Sequence, residues 1–450
     1  MPRVQSSTPQ TPIIKLVRPF QEFAARETSG GILLLACTLA ALVWANSPWT
    51  TRYTALWHTP LTIGLGSFTL SHDLHFWVND ELMAIFFFVV GLEIKRELLA
   101  GELASPRQAA LPILAALGGV VVPALLYSAL NARGPGAPGW GIPMATDIAF
   151  AIGVMALLGE RVPLGLKVFL TALAIVDDIA AVLVIALFYT AELAWGALGF
   201  AGVCLAALFA ANRLGVRHPL PYALVGGVLW MAMLQSGVHA TIAGVLLAFM
   251  IPSRTALNQS EFLRDSRAVL DHFERASENE RSVLSDAEQQ MAIEALEDGC
   301  EKVQPPLHRL EHGLHPWVTF VIMPLFALAN AGVPLFGDVG KAVASPITLG
   351  VVLGLVLGKP IGITLASWLA VRVGWAALPD NVSWKHIHGA SWLAGIGFTM
   401  SLFMTGLSFV DDAQLTAAKL GILTASLCAG IIGSVILVRI TPKNSSDVAQ

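Results

Sequence analysis

The chain has 450 residues, of which 55% are hydrophobic and only 13% charged, with a mean hydropathy of +0.68. A soluble domain carries about a quarter charged residues, so this composition excludes a soluble globular protein. The net charge of −4 says little by itself, because in a membrane protein the placement of charge matters more than its sum. Apolar runs long enough to cross a ~30 Å hydrocarbon core recur along the sequence. They are continuous rather than alternating in segments of about ten residues, which excludes a transmembrane β-barrel and predicts helices. The four cysteines suggest no disulfide framework: Cys37, Cys204 and Cys428 sit in apolar runs as small hydrophobes, and Cys300 is a free thiol in a polar segment.

In chain order, twelve apolar segments are predicted, at 30–47, 79–98, 107–130, 141–158, 164–190, 195–211, 220–235, 238–252, 315–336, 346–373, 387–410 and 413–440. The first follows basic residues, as a secretory signal would, but it is long enough to span and lacks a clear small-x-small cleavage site. With the N-terminus in the cytoplasm and one crossing per segment, 22 of the 27 Lys and Arg residues fall on the cytoplasmic side. Only Arg52, Arg133, Lys341 and Lys419 fall outside, and Lys359 lies within a span. A wrong count would scramble this asymmetry, so about twelve helices with both termini inside are expected. The layout is a cytoplasmic tail at 1–29, helices one to eight at 30–252, a charged cytoplasmic insertion at 253–314, helices nine to twelve at 315–440, and a tail at 441–450.

The core of the insertion, 255–306, holds twelve acidic and five basic residues. Sparse apolar positions at Phe262, Val269, Phe273, Val283 and Leu284 suggest amphipathic helix, closed by Pro305 and Pro306. A solvated helical loop is the plain reading, and a regulatory or partner-binding element the alternative.

Ionisable groups at membrane depth are expensive and are functional candidates by default. Asp147 follows Thr146 in PMATDIAFAIG, Asp177 and Asp178 are adjacent in LTALAIVDDIAAVLVIALF, and Lys359 lies in LGLVLGKPIGITLASWLA. Carboxylates, a threonine hydroxyl and backbone carbonyls are the oxygen ligands a hard cation such as sodium prefers. Adjacent helix positions point about 100° apart, so one of Asp177 and Asp178 can face a cavity while the other reaches Lys359. Low dielectric disfavours charge on either group type, and a carboxylate holding a proton cannot also hold sodium. That competition is an exchange mechanism. The plain alternative is a set of buried charges that only locks helices together.

The helices around these residues are interrupted. RGPGAPGWGIP (133–143) precedes Thr146–Asp147, and the eleventh segment contains Gly395, Gly397, Thr399 and Ser401 in AGIGFTMS. Interrupted spans in matching positions of two halves point to a transport site, because opened backbone groups coordinate ions. Segments three to five and ten to twelve are the candidate halves, on position and not on sequence identity.

At these residues the chain closely resembles the NhaA family of sodium/proton antiporters. The resemblance runs through VGLEIKRELLAGELASPRQAALP (90–112), IPMATDIAFAIGVMALLGERVPLGLKVFLTALAIVDDIAAVLVIALFYT (142–190) and SGVHATIAGVLLAF (236–249). It continues through LEHGLHPWV (310–318), MPLFALANAGV (323–333), LGKPIGI (357–363) and GIGFTMSLF (395–403), leaving out the N-terminal tail and most of the insertion.

The resemblance implies an all-α polytopic fold of inverted repeats with two discontinuous helices crossing at mid-membrane. It implies that Asp177 and Asp178 are the cation and proton carboxylates, Lys359 the core lysine, and Thr146 and Asp147 the residues beside the crossing. By the same likeness Glu93, Arg96, Glu97, Glu311, His312 and His315 form a cytoplasmic cluster linked with pH sensing, and His239 is associated with pH response. For these the plain alternatives are interfacial ion pairs and a packing histidine. The expected function is electrogenic export of sodium, with lithium, in exchange for protons, in a multi-pass protein of the bacterial inner membrane. No enzyme activity, cofactor or nucleic acid is called for. The partners are the lipid bilayer, sodium ions and protons, with a homodimer as a possible assembly. An intramembrane aspartyl protease would also place two acids in the membrane, but it would not require a membrane lysine and the acids here lack a Gly-x-Gly-Asp context. A passive cation channel is the other alternative, separated from exchange by its lack of obligatory coupling.

Overall fold

The structure is a computed structural model that describes residues 29–65, 68–190, 193–255, 257–277, 287–335 and 339–440. Val283, Leu284 and the basic residues of both tails lie outside them. Helical structure occupies each of the twelve apolar segments. In order the helices are α1 (Ser29–Ala45), α2 (Thr50–Trp57), α3 (Met83–Ala100), α4 (Pro106–Asn131), α5 (Ile148–Leu157), α6 (Leu164–Phe188), α7 (Trp195–Arg213), α8 (Pro219–Leu234) and α9 (Ile242–Met250). They continue with α10 (Gln259–Ser277), α11 (Ala287–Val303), α12 (Pro306–Trp317), α13 (Met323–Asn330), α14 (Pro346–Leu353), α15 (Lys359–Val373), α16 (Trp384–Leu393), α17 (Phe398–Ser408) and α18 (Asp412–Ile440).

Among the described residues, seven helices are long and apolar enough to cross a membrane, or up to nine if each of two bent pairs counts as one span. The protein is thus a polytopic helical membrane protein, while the sequence predicts about twelve spans. Length and charge separate the two counts. Helix α3 carries Glu93, Lys95, Arg96 and Glu97 near its end, α8 has 16 residues, and α9 has only 9.

The all-helical expectation needs one amendment. Pro60–Leu65 (β1) and Phe68–Asp73 (β2) pair antiparallel, with Pro60 opposite Asp73 and Leu65 opposite Phe68. The stretch PLTIGLGSFTLSHD alternates apolar and hydroxyl residues around a Gly-Ser pair, which suits a hairpin. Asp73 ends it by accepting the Phe76 N–H at 2.8 Å.

The described chain divides into two compact units. One comprises residues up to 79, 102–189 and those from 319 onward. Its tightest seam is α4 against α15, where Gly118 and Gly362 bring two backbones together. A Cβ on Gly118 would fall 2.2 Å from the Gly362 carbonyl oxygen, and one on Gly362 would fall 2.1 Å from that of Gly118. In the same unit α14 passes through a π-helical turn, Gly354–Gly358, that leads directly into Lys359 at the head of α15.

The other unit comprises 80–101 and 190–318. Here α3 packs on α9 by the same device, since a Cβ on Gly244 would meet the Ala84 carbonyl oxygen at 2.2 Å. Lys95 fastens the end of α9 by donating to the carbonyls of Phe249 at 2.7 Å and Ile251 at 2.5 Å. The insertion forms the antiparallel pair α10 and α11, in which Phe262 lies against Gly299. Pro305 and Pro306 do more than close it: Pro306 opens α12, so the ninth helical segment begins nine residues before the predicted start at 315.

Candidate functional site

Two interrupted helices build the centre of the first unit. In one, a 3-10 turn over Ala137–Met144 gives way to extended backbone at Ala145 and Asp147 before α5 begins. In the other, α16 ends at Leu393 and α17 starts at Phe398, the two bent by 49°. Glycine is required at the second break because a Cβ on Gly395 would stand 2.6 Å from the Leu355 carbonyl oxygen.

The two breaks lie against each other and satisfy each other's backbone. The Asp147 N–H donates to the Ile396 carbonyl at 2.7 Å, and the Ser401 hydroxyl donates to that of Ile142 at 2.8 Å. Asp147 then caps two helices at once. Its Oδ1 accepts the Phe150 N–H at 2.9 Å at the start of α5. Its Oδ2 accepts the Thr399 N–H at 3.0 Å and the Thr399 hydroxyl at 2.5 Å at the start of α17. Acceptor oxygens are favoured there, because each N-terminus presents unpaired N–H groups and the positive end of a helix dipole.

Beside the breaks, Lys359 donates to Asp177 Oδ2 and to the Thr146 hydroxyl oxygen. The single hydrogen of that hydroxyl is shared between Asp177 Oδ2 at 2.5 Å and the Ala394 carbonyl at 2.9 Å. Asp177 Oδ1 accepts no hydrogen bond among the described residues. Asp178 follows on the same helix and is also buried. Asp147, Asp177, Asp178 and Lys359 are 1%, 1%, 3% and 0% exposed, so three acids and one base share a space with almost no access to bulk water. With all four groups ionised such a set would be short of positive charge, and its free carboxylate oxygen, hydroxyl and backbone carbonyls match the ligands of a small hard cation.

In the second unit Arg96 donates to Glu311 Oε1 and, at 3.1 Å, to Glu97 Oε1. Glu93 is one turn from Glu97 on α3. His312 and His315 lie on α12 with Glu311, and the His312 ring stacks on His308 with centroids 6.2 Å apart. The six predicted cluster residues thus fall on two packed helices. His239 stands apart from them: its Nδ1 lies 2.9 Å from the Thr241 hydroxyl oxygen and its Nε2 3.8 Å from Asp80 Oδ1.

Four contributors escape the predicted site: the carbonyls of Ala394 and Ile396, the bond from Thr399 to Asp147, and Asp80 beside His239. A hydroxyl residue two positions after the Gly395-x-Gly397 break is a helix-start signal, but nothing in the sequence says which acid it meets. In the first unit an outer amide pair also goes unpredicted, with Asn330 Nδ2 donating to Asn79 Oδ1 at 2.7 Å.

A family model described as Na+/H+ antiporter 1 matches residues 21–437 of this chain. Among curated relatives, the Na+/H+ antiporter NhaA of Oleidesulfovibrio alaskensis is 54% identical over 437 residues, covering 97% of this chain and 97% of the relative. That of Koribacter versatilis is 53% identical over 440 residues, covering 97% and 94%. That of Acidithiobacillus ferrooxidans is 50% identical over 430 residues, covering 95% and 99%.

Proposed function

Because this chain belongs to the Na+/H+ antiporter 1 family, we propose that it is a secondary transporter, not an enzyme, exporting sodium and lithium in exchange for incoming protons. The observation that carries the reading is the buried group of Asp177, Lys359 and Thr146 with Asp178 beside it, set against two helix breaks held by Asp147. Asp178 is the direct cation ligand and Asp177 the partner of Lys359. Proton uptake by these carboxylates displaces the cation, and cation binding displaces the protons. Two protons inward for one sodium outward moves one net charge. The membrane potential then contributes ~2.3 kcal/mol per 100 mV to each cycle, which drives export against a gradient.

The same reading makes the two breaks the crossing of two inverted repeats, with one repeat moving against its surroundings to change access. It assigns the Arg96–Glu311 cluster and His239 to the pH dependence of transport. It places the protein in the bacterial inner membrane with both ends in the cytoplasm, needing no cofactor, and leaves a homodimer as the assembly to test.

The test is purified protein in liposomes, with sodium-induced proton release followed over a range of pH, with and without an imposed potential. Wild type is expected to show saturable, potential-dependent exchange of both sodium and lithium, and Asp178→Asn none. Exchange by Asp178→Asn at wild-type rates, or cation leak without proton movement in wild type, would overturn the mechanism; the second outcome would indicate a passive channel.

A further inference from the structure

The second unit carries a cavity of about 420 Å³ whose lining includes none of the residues assigned above to transport or its pH dependence. It runs between α3, α8 and α9 and reaches Leu310 and Leu314 on α12. Its walls are mostly apolar, with Trp230, Tyr222 and Phe88 the largest side chains. Two polar groups break the pattern. Glu81 and Trp230 both line the cavity, and among the described residues neither Glu81 Oε2 nor Trp230 Nε1 has a hydrogen-bond partner. Trp230 is 9% exposed. An unpaired buried donor or acceptor costs about 1–3 kcal/mol, more when charged, so an acceptor and a donor left open in the lining of one cavity imply a ligand that offers both a donor and an acceptor.

The direction of the helices says where these two groups stand. Glu81 lies in the π-helical turn Trp77–Leu82 that leads into α3 and Trp230 lies near the end of α8, so both are at one end of the cavity. Pro219 and Tyr222 at the start of α8, and Ile251 just past α9, are at the other. From Trp230 to Pro219 the helix rises about 16 Å, roughly half of the ~30 Å hydrocarbon core. The neighbouring stripe of α8, Leu220, Leu224 and Val228, is 56%, 64% and 43% exposed. Its spacing of four residues makes one apolar face, so the cavity opens beside a surface that faces lipid.

We propose that this cavity is a binding site for one phospholipid with a primary-ammonium headgroup. The acyl chain lies along the apolar wall of α8, the ammonium donates to Glu81 Oε2, and Trp230 Nε1–H donates to a phosphate or ester oxygen. A carboxylate selects an ammonium over a neutral or anionic headgroup through a charge-assisted bond, and an indole at the membrane interface is the usual donor to that layer. Asp80, the adjacent acid, faces His239 instead. The site is separate from the transport carboxylates, all of which belong to the other unit.

The experiment uses the full chain in detergent, with phosphatidylethanolamine, phosphatidylcholine and phosphatidylglycerol of identical acyl chains. Native mass spectrometry reads retained lipid, and thermal unfolding reads stabilisation. Wild type is expected to retain phosphatidylethanolamine at least about tenfold better than the other two, the size expected of one charge-assisted hydrogen bond. Glu81→Gln, which keeps the shape, should lose that preference, and Trp230→Phe should weaken retention of phosphatidylethanolamine and phosphatidylcholine alike. Equal retention of all three lipids by wild type, meaning that water satisfies the two groups, would overturn the proposal. So would a preference for phosphatidylglycerol, or an undiminished preference in Glu81→Gln.

Discussion

At the scale of single residues, the decisive pair is Lys359 with Asp177. Neither has water to fall back on, so removing one partner leaves an uncompensated charge, which costs about 3–5 kcal/mol in a buried pair. Lys359→Ala is therefore expected to lower the melting temperature sharply and to abolish exchange. Lys359→Arg keeps the charge but not the compact ammonium that fits between Asp177 and Thr146, and should retain more stability than the alanine variant. Thermal unfolding of the two variants beside wild type checks this, and equal stability of all three would rule out the pair as a structural element. His239 makes a weaker demand. With Asp80 at 3.8 Å, His239→Arg puts a permanent positive charge beside an acid, so the pH profile of exchange should move while the maximal rate survives. An unchanged profile would leave His239 a packing residue. Lys359 and Asp177 are legible in sequence because a charge in an apolar run has no cheap explanation, whereas His239 is singled out only by the family resemblance. Their partners are not, since Asp147 meets Thr399 across 252 positions of chain and only folding brings the two together.

At the scale of elements, the two breaks were announced by Pro143, Gly395 and Gly397, but their mutual satisfaction was not. Composition marks where a helix must stop; it does not say which carbonyl meets which N–H. The hairpin formed by β1 and β2 stayed hidden for a related reason. Fourteen residues of mixed polarity lie outside every predicted apolar segment, although their alternation and Gly-Ser pair carry the hairpin signal. The seam of α4 and α15 offers the sharpest test at this scale. Because a methyl on Gly118 would strike the Gly362 backbone and not a movable side chain, Gly118→Ala must push the helices apart. Overpacking of this kind costs typically about 1–3 kcal/mol, and it also displaces Lys359, which heads α15. Gly118→Ala and Gly362→Ala are each expected to lower both stability and the rate of exchange. Combining them should cost less than the sum, since one displacement relieves both clashes. Full additivity, measured by thermal unfolding, would mean that the two glycines do not share a contact.

At the scale of the whole molecule, each predicted apolar segment is helical, while seven to nine helices among the described residues are long and apolar enough to cross a membrane. Helices α8 and α9 fill apolar segments yet are short, because hydropathy reports where apolar residues are and not how much of the membrane a helix traverses. The insertion shows the opposite case, a region whose composition declares it foreign to the membrane. Its two helices, α10 and α11, run out and back, and the ends of the excursion meet: the Leu257 N–H donates to the Lys302 carbonyl at 3.1 Å, and the Leu307 N–H to that of Pro252 at 3.1 Å. A loop whose ends already touch can be cut away without straining what lies on either side, and loop length contributes only weakly to stability. Replacing 258–304 with a short Gly/Ser linker should therefore leave insertion into the membrane and the maximal rate of sodium/proton exchange close to wild type. Arg96 and Glu311 both lie outside the excised stretch and keep each other as partners. If the excised protein inserts and folds, by thermal unfolding, yet exchanges no sodium in liposomes, the insertion belongs to the transport machinery after all. If only the pH at which exchange begins has moved, the insertion acts on the cluster shared by α3 and α12 and is a regulator of transport.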